Sequence, residues 1–208
     1  MSGPRRIGVF GGAFDPPHLA HVALVRAAIE QWHLDEVRVL PTGQAWHKPR
    51  ALTDASHRLA MVRCAFDGMP EVVVDDREVR RTGPSYTVDT LLELATEQPA
   101  AQLYLLIGED QRRSLPSWHR TGEIARLAII CAAERDNAVA PWSTGPGHAS
   151  AFESLDAAIR PLRMPLMPIS ATDIRQRLAH QQPITALVPP AVERYIHEHH
   201  LYDRSTDD

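Results

Sequence analysis

Two histidines three positions apart, His18 and His21, follow the glycine pair Gly11-Gly12 and the segment Ala13-Phe14-Asp15-Pro16-Pro17. On a helix such residues share one face, so both imidazoles would point the same way from its first turn. Adjacent glycines let the backbone approach a ligand that any Cβ would obstruct. The N–H groups at a helix start favour an anion. Together these features point to phosphate chemistry. Near the other end, Ile169-Ser170-Ala171-Thr172-Asp173-Ile174-Arg175 offers two hydroxyls, on Ser170 and Thr172, and a fixed cation on Arg175 at a second helix start.

Each pattern also has a plainer explanation. A glycine pair after a strand can be only a turn. Asp15 before Pro16 can cap a helix, since proline suits a first helical position. His18 and His21 could form a metal pair, but no nearby Cys, Asp or Glu completes a zinc set. Ser170 followed three residues later by Asp173 reads as a variant capping box whether or not a phosphate binds there.

The elements around these residues read as alternating strands and helices. Ile7–Phe10 is a buried strand that runs into a tight glycine turn, and Leu19–Trp32 is an amphipathic helix. Further strands are expected at 36–40, stopped by Pro41, at 72–74, at 103–107 and at 127–131. Helices are expected after Thr53 or Asp54, which can cap, and from Ser85. A proline-interrupted strand around 164–167 should end the sheet as an edge, and Pro189-Pro190 should open a last helix. Residues 136–150 read as a surface loop, and Asp76 and Arg81 as a solvated charged face. His197, His199 and His200 read as surface groups. Uninterrupted apolar strands alternating with helices predict an α/β fold, a Rossmann-like doubly wound parallel sheet with helices on both faces and a C-terminal helical segment. Ligands in such sheets bind beyond the strand C-terminal ends. Three segments fall there: Gly11 to His21, Pro41 to Pro49 with Lys48, and Gly108 to Trp118.

Composition excludes several classes. At 208 residues the chain suits one domain: a sheet core over 1–168, a helical segment over 169–203 carrying the second phosphate motif, and a frayed tail over 204–208. A formal charge of −4 supplies no basic field for nucleic acid. Cys64 and Cys131, each in an apolar run, read as free buried thiols. No signal peptide is visible and no apolar run approaches the roughly 20 residues that span a bilayer, so neither secretion nor a membrane is expected and the chain reads as cytoplasmic.

The combined motifs resemble those of the nucleotidyltransferase superfamily, with its H-x-G-H signature after G-G-x-F-D-P. From end to end the chain resembles bacterial nicotinate-nucleotide adenylyltransferases. Gly11 to His21 is similar to their opening motif, His47-Lys48-Pro49 to a P-H-K segment, and Ser85-Tyr86-Thr87-Val88-Asp89-Thr90 to an S-Y-T-x-D-T segment. Gly108-Glu109-Asp110 with Trp118 is similar to a G-x-D…W stretch, Ile169 to Arg175 to I-S-x-T-x-I-R, and Val192 to Tyr202 to a Y-I-x-x-x-x-L-Y ending. The chain departs at Ala20, where the motif has glycine, at Trp46, where a proline is common, and at Glu109 and Gln111-Arg112-Arg113, which are more charged than the family pattern.

The resemblance implies adenylyl transfer from ATP to nicotinate mononucleotide, giving deamido-NAD and pyrophosphate by direct in-line attack. It places His18, His21, Lys48 and Arg175 in catalysis. Gly11, Gly12, Phe14, His18, His21, Gly108, Asp110, Ser170, Thr172 and Arg175 would bind ATP. Ala13, Lys48, Tyr86, Thr87 and Trp118 would bind nicotinate mononucleotide, with Trp118 stacking on the pyridine ring and Tyr86 and Thr87 reading its carboxylate. Mg²⁺ would be held through ATP phosphates and water, not by a protein cage. The expected assembly is a monomer or homodimer. Competing readings are the same chemistry on nicotinamide mononucleotide or pantetheine phosphate, a non-catalytic nucleotide sensor, and a metallohydrolase built on the two histidines.

Overall fold

The computed structural model describes residues 3–43, 52–135 and 159–203. Lys48 with its neighbours Trp46, His47 and Pro49, the loop at 136–150 and the tail at 204–208 therefore lie outside the described residues.

Six strands form one parallel sheet in the order β3-β2-β1-β4-β5-β6. They are β1 (Arg6–Gly12), β2 (Glu36–Pro41), β3 (Val72–Val74), β4 (Gln102–Ile107), β5 (Ala128–Arg135) and β6 (Arg160–Met164). The order reverses direction between β1 and β4, the crossover expected of a doubly wound sheet. In register, Ile7 stands beside Leu103, Leu105 beside Ile130, and Leu162 beside Ala133. The helices are α1 (Leu19–Trp32), α2 (Ala55–Phe66), α3 (Arg77–Arg80), α4 (Thr87–Glu97), α5 (Glu109–Ser114), α6 (Thr121–Leu127), α7 (Ala171–Ala179) and α8 (Pro190–Glu198), with a 3₁₀ turn at Leu115–Ser117. Among the described residues no helix is long and apolar enough to cross a membrane.

Two compact units share this chain: Met1–Phe10, Leu24–Arg38 and Tyr86–Leu166 make one, and Gly11–Ala23, Val39–Ser85 and Met167–Asp208 the other. In the first unit Ile7, Val9, Leu103, Leu105, Ile107 and Ile130 are buried, the continuous apolar strands of a sheet covered on both sides. Gly8 is small because a Cβ there would stand 2.9 Å from Leu34 and 3.0 Å from Val37. In the second unit Met61, Val62, Ala65 and Phe66 of α2 pack with Val192 and Ile196 of α8, each set spaced as one helical face. Asp54 caps α2, accepting the Ser56 N–H at 2.8 Å.

Two expectations need correction. The closing edge strand is Arg160–Met164, four residues earlier than the run around 164–167, with Pro161 inside it. The helix expected from Ser85 opens at Thr87, with Tyr86 at its N-cap. In the charged stretch after β3, Asp76 and Arg81, the two residues expected on a solvated face, are partly exposed. Asp75 and Glu78 are buried, and Asp75 is paired with Arg77 at 2.8 Å, whereas Asp76 pairs with exposed Arg80 at 3.0 Å.

Candidate active site

The glycines do not form the turn that their pairing suggests. β1 continues through Gly12, and the residue in the left-handed region is Phe14, at φ 48°. The Asp15-Pro16 peptide is cis. The chain thus turns at Phe14 to Pro17, and the glycines serve as the last, side-chain-free residues of a strand. A Cβ on Gly12 would lie 3.1 Å from the Phe14 ring, whereas one on Gly11 would meet nothing within 4 Å. Phe14 itself is 2% exposed and sits edge-on to His21, ring centroids 5.0 Å apart. Any contact it makes with a nucleotide is therefore through its backbone.

His18 precedes α1 and His21 lies in its first turn, as their spacing requires. Their rings are stacked, with centroids 3.7 Å apart and planes 23° off parallel. The His18 N–H donates to His21 Nδ1 at 3.1 Å. His21 therefore acts as an internal cap, its Nδ1 accepts, and its proton must sit on Nε2. His18 is buried, which lowers its pKa from 6.5 to about 4; at neutral pH it is an uncharged ring. Its buried Nδ1 has no hydrogen-bond partner among the described residues, the kind of exception that marks a working site. The open helix start expected here is largely spent on protein. The Leu19 N–H donates to the Leu187 carbonyl at 2.9 Å and the His21 N–H to the His18 carbonyl at 2.9 Å.

The second motif, far away in sequence, lies in the same unit. Ser170 caps α7, its hydroxyl accepting the Asp173 N–H at 3.1 Å. The Arg175 guanidinium donates to the Asp15 carbonyl at 2.6 Å and to Thr172 Oγ1 at 3.1 Å. Arg175 is thereby held against the turn that carries the histidines, and the second unit brings Gly11, Gly12, Ala13, Phe14, His18, His21, Ser170, Thr172 and Arg175 together.

Asp15 shapes the turn, as its sequence position implied, but not by capping α1. Its carboxylate is buried and accepts the Tyr202 hydroxyl at 2.6 Å and the Thr53 N–H at 3.4 Å. Arg58 is a further support, one that no motif marks. It is 1% exposed, and its guanidinium donates to the carbonyls of Thr53, Ala13 and Gly43 at 2.9, 2.9 and 3.2 Å. Burial pulls its pKa down, and the nearby Asp15 carboxylate opposes that pull. One signal was available. Arg58, Met61, Val62 and Ala65 follow the spacing of a single helical face, so the arginine stands on an apolar stripe. An arginine there must be satisfied internally.

The remaining expected residues belong to the first unit. Gly108 is the N-cap of α5, its N–H donating to Gln111 Oε1 at 3.0 Å. Asp110 is exposed in the first turn. Trp118 is half-buried and its indole N–H donates to Ser114 Oγ at 3.2 Å. Tyr86 lies tilted against His119, ring centroids 4.5 Å apart, and Thr87 opens α4. Among the described residues no group of three or more His, Cys, Asp or Glu side chains is placed to hold a metal ion.

Comparison with known proteins shows which family the chain is similar to. A family model described as cytidylyltransferase-like matches residues 9–177. A protein of Albidiferax ferrireducens, named probable nicotinate-nucleotide adenylyltransferase, is 54% identical over 199 residues, covering 95% of this chain and 98% of that one. One of the same name from Methylibium petroleiphilum is 41% identical over 202 residues, covering 95% and 92%. Among solved structures, Plasmodium falciparum nicotinic acid mononucleotide adenylyltransferase complexed with APC superposes with a TM-score of 0.75 at 19% identity, covering 95% of this chain and 97% of that chain. The same enzyme complexed with NaAD superposes at 0.72 and 20%, with the same coverage. These structural likenesses speak for the fold.

Proposed function

The chain belongs to the nicotinate-nucleotide adenylyltransferases of the cytidylyltransferase-like family, and we infer from this that it transfers an adenylyl group from ATP to nicotinate mononucleotide. The products are deamido-NAD and pyrophosphate, so the enzyme serves NAD biosynthesis. The 5′-phosphate of the mononucleotide attacks the α-phosphorus in line, with no covalent enzyme intermediate. A phosphate is already ionised at neutral pH, so the protein need not supply a strong base. Its task is to align the two anions and neutralise charge as pyrophosphate leaves.

His18 and His21 donate to the α- and β-phosphates. Ser170, Thr172 and Arg175 face the β- and γ-phosphates, Gly11 and Gly12 give the backbone room, and Phe14 contributes its main chain. Lys48 meets the incoming nucleotide phosphate beside Ala13. Gly108 and Asp110 contact the adenosine portion. Trp118 supplies the stacking platform for the pyridine, and Tyr86 and Thr87 at the start of α4 read its carboxylate. Mg²⁺ enters with ATP as part of the substrate, ligated by phosphates and water. The enzyme works in the cytoplasm as a monomer or homodimer, without nucleic acid or membrane.

The single observation behind the phosphate assignment is the Arg175 hydrogen bond to the Asp15 carbonyl at 2.6 Å, which joins the two motifs. The test is pyrophosphate release from MgATP with nicotinate mononucleotide, nicotinamide mononucleotide and pantetheine phosphate side by side. Nicotinate mononucleotide is expected to give by far the highest kcat/KM. Equal turnover of either alternative overturns the acceptor assignment, and phosphate release with no acceptor would favour a hydrolase.

A further inference from the structure

Asp15 is where several distant parts of the second unit meet. Its carbonyl holds Arg175 at 2.6 Å, and its carboxylate receives Tyr202 at 2.6 Å and the Thr53 N–H at 3.4 Å. Two residues before it, the Ala13 carbonyl holds Arg58. Tyr202 is brought there by an unusual route. After α8 the chain closes with a Schellman turn, in which the Leu201 N–H donates to the Ile196 carbonyl at 3.0 Å and the His200 N–H to the His197 carbonyl at 3.3 Å. His200 at φ 50° and Tyr202 at φ 68° both occupy the left-handed region without being glycine. Such a backbone is strained for residues with a Cβ, and it persists where surrounding contacts over-determine it. Here the turn delivers a partly buried hydroxyl to a buried carboxylate, with the Thr53 side chain bonded to the same hydroxyl.

We propose that Tyr202 is a positioning residue for the adenylyl transfer. Its hydroxyl, through Asp15, fixes the turn that aims His18 and His21 and anchors Arg175. The inference rests on the reading that these three residues handle the triphosphate. Tyr202 touches no reacting atom; it prevents the turn and the Arg175 guanidinium from shifting relative to each other, and a displacement of about 1 Å is enough to cost catalysis heavily.

Tyr202→Phe removes one oxygen and keeps the ring. In full-length enzyme assayed by pyrophosphate release, kcat should fall about tenfold or more with KM for ATP changed by less than about threefold, the split expected when alignment and not binding is lost. Asp15→Ala should lower kcat similarly, and the double variant should lose no more than the worse single one. Asp15→Asn keeps an oxygen that accepts the hydroxyl and should retain most of the wild-type kcat, which serves if Asp15→Ala does not fold. Losses that multiply in the double variant overturn the inference. So does a Tyr202→Phe enzyme that melts earlier while its kcat per folded molecule is unchanged. His18→Ala runs in parallel: a disabled His18→Ala beside a fully active Tyr202→Phe rejects the role of Tyr202 alone, whereas a fully active His18→Ala rejects the phosphate reading and this inference together.

Discussion

The backbone N–H of His18 donates to Nδ1 of His21 at 3.1 Å, so one catalytic candidate is capped and oriented by the other. The bond fixes the tautomer of His21, whose Nδ1 accepts and whose proton sits on Nε2. With His18 held uncharged by its burial, the two rings form a stack of neutral imidazoles and not a pair of imidazolium charges.

From this pairing, His18→Ala should lower kcat at least about 100-fold, the loss typical of removing a transition-state donor. ATP affinity should change little, because Ser170, Thr172 and Arg175 remain. Isothermal titration beside steady-state kinetics separates the two. A fall in affinity with kcat intact would make His18 a binding residue.

The neutral state of His18 has a consequence for stability. Burial lowers its pKa from 6.5 to about 4, so the unfolded chain takes up a proton at a pH where the folded one does not. The stabilising contribution is complete above the unfolded value of 6.5 and is lost as pH falls through about 4. Over that window the loss is about 3 kcal/mol. Urea unfolding of wild type and His18→Asn between neutral pH and pH 4 checks this: the wild-type curve should descend more steeply by that amount, and parallel curves would refute it.

Gly11 and Gly12 should respond differently to the same substitution. Gly12→Ala pushes a Cβ to 3.1 Å from the Phe14 ring and should destabilise the fold by about 1 kcal/mol or more. Gly11→Ala meets nothing of the protein within 4 Å and should leave the melting temperature unchanged while raising KM for ATP. If Gly11→Ala has wild-type kinetics, the backbone there does not face the nucleotide.

Cys131 is buried, and burial pushes its thiol up to about 12. It should resist a thiolate-directed reagent in the native enzyme at pH 8 and react only on unfolding. Mass spectrometry after timed labelling reads this directly, and rapid native labelling would contradict it.

Much of this architecture was legible because local chemistry decides it. Leu19 to Trp32 carries a helical apolar period, Asp54 and Ser170 are oxygen-bearing residues before helices, and the apolar runs at 7–10 and 103–107 are buried. The glycine turn was misplaced because glycine permits a turn without demanding one; Phe14 takes the left-handed position instead, with its own ring buried, and that burial is a matter of tertiary packing. The β6 boundary was displaced because an edge strand needs fewer apolar residues to declare it. Arg58 and Tyr202 escaped notice as supports since their partners are backbone carbonyls and a single carboxylate brought from elsewhere in the chain, which no local pattern encodes. The two phosphate motifs could each be read, but their meeting at the Asp15 carbonyl could not.

The bond between Asp15 and Tyr202 links residues 187 positions apart. Loop-closure entropy grows only with the logarithm of length, so the span itself adds little cost. Its effect lies in timing. A polypeptide emerging from its N-terminus carries both histidines long before the brace for their turn has been made. A chain released just after Arg175 would contain every described residue proposed to meet phosphate and still lack that brace. Chain completion thereby becomes a condition of catalytic geometry, and fragments that bind nucleotide need not turn it over.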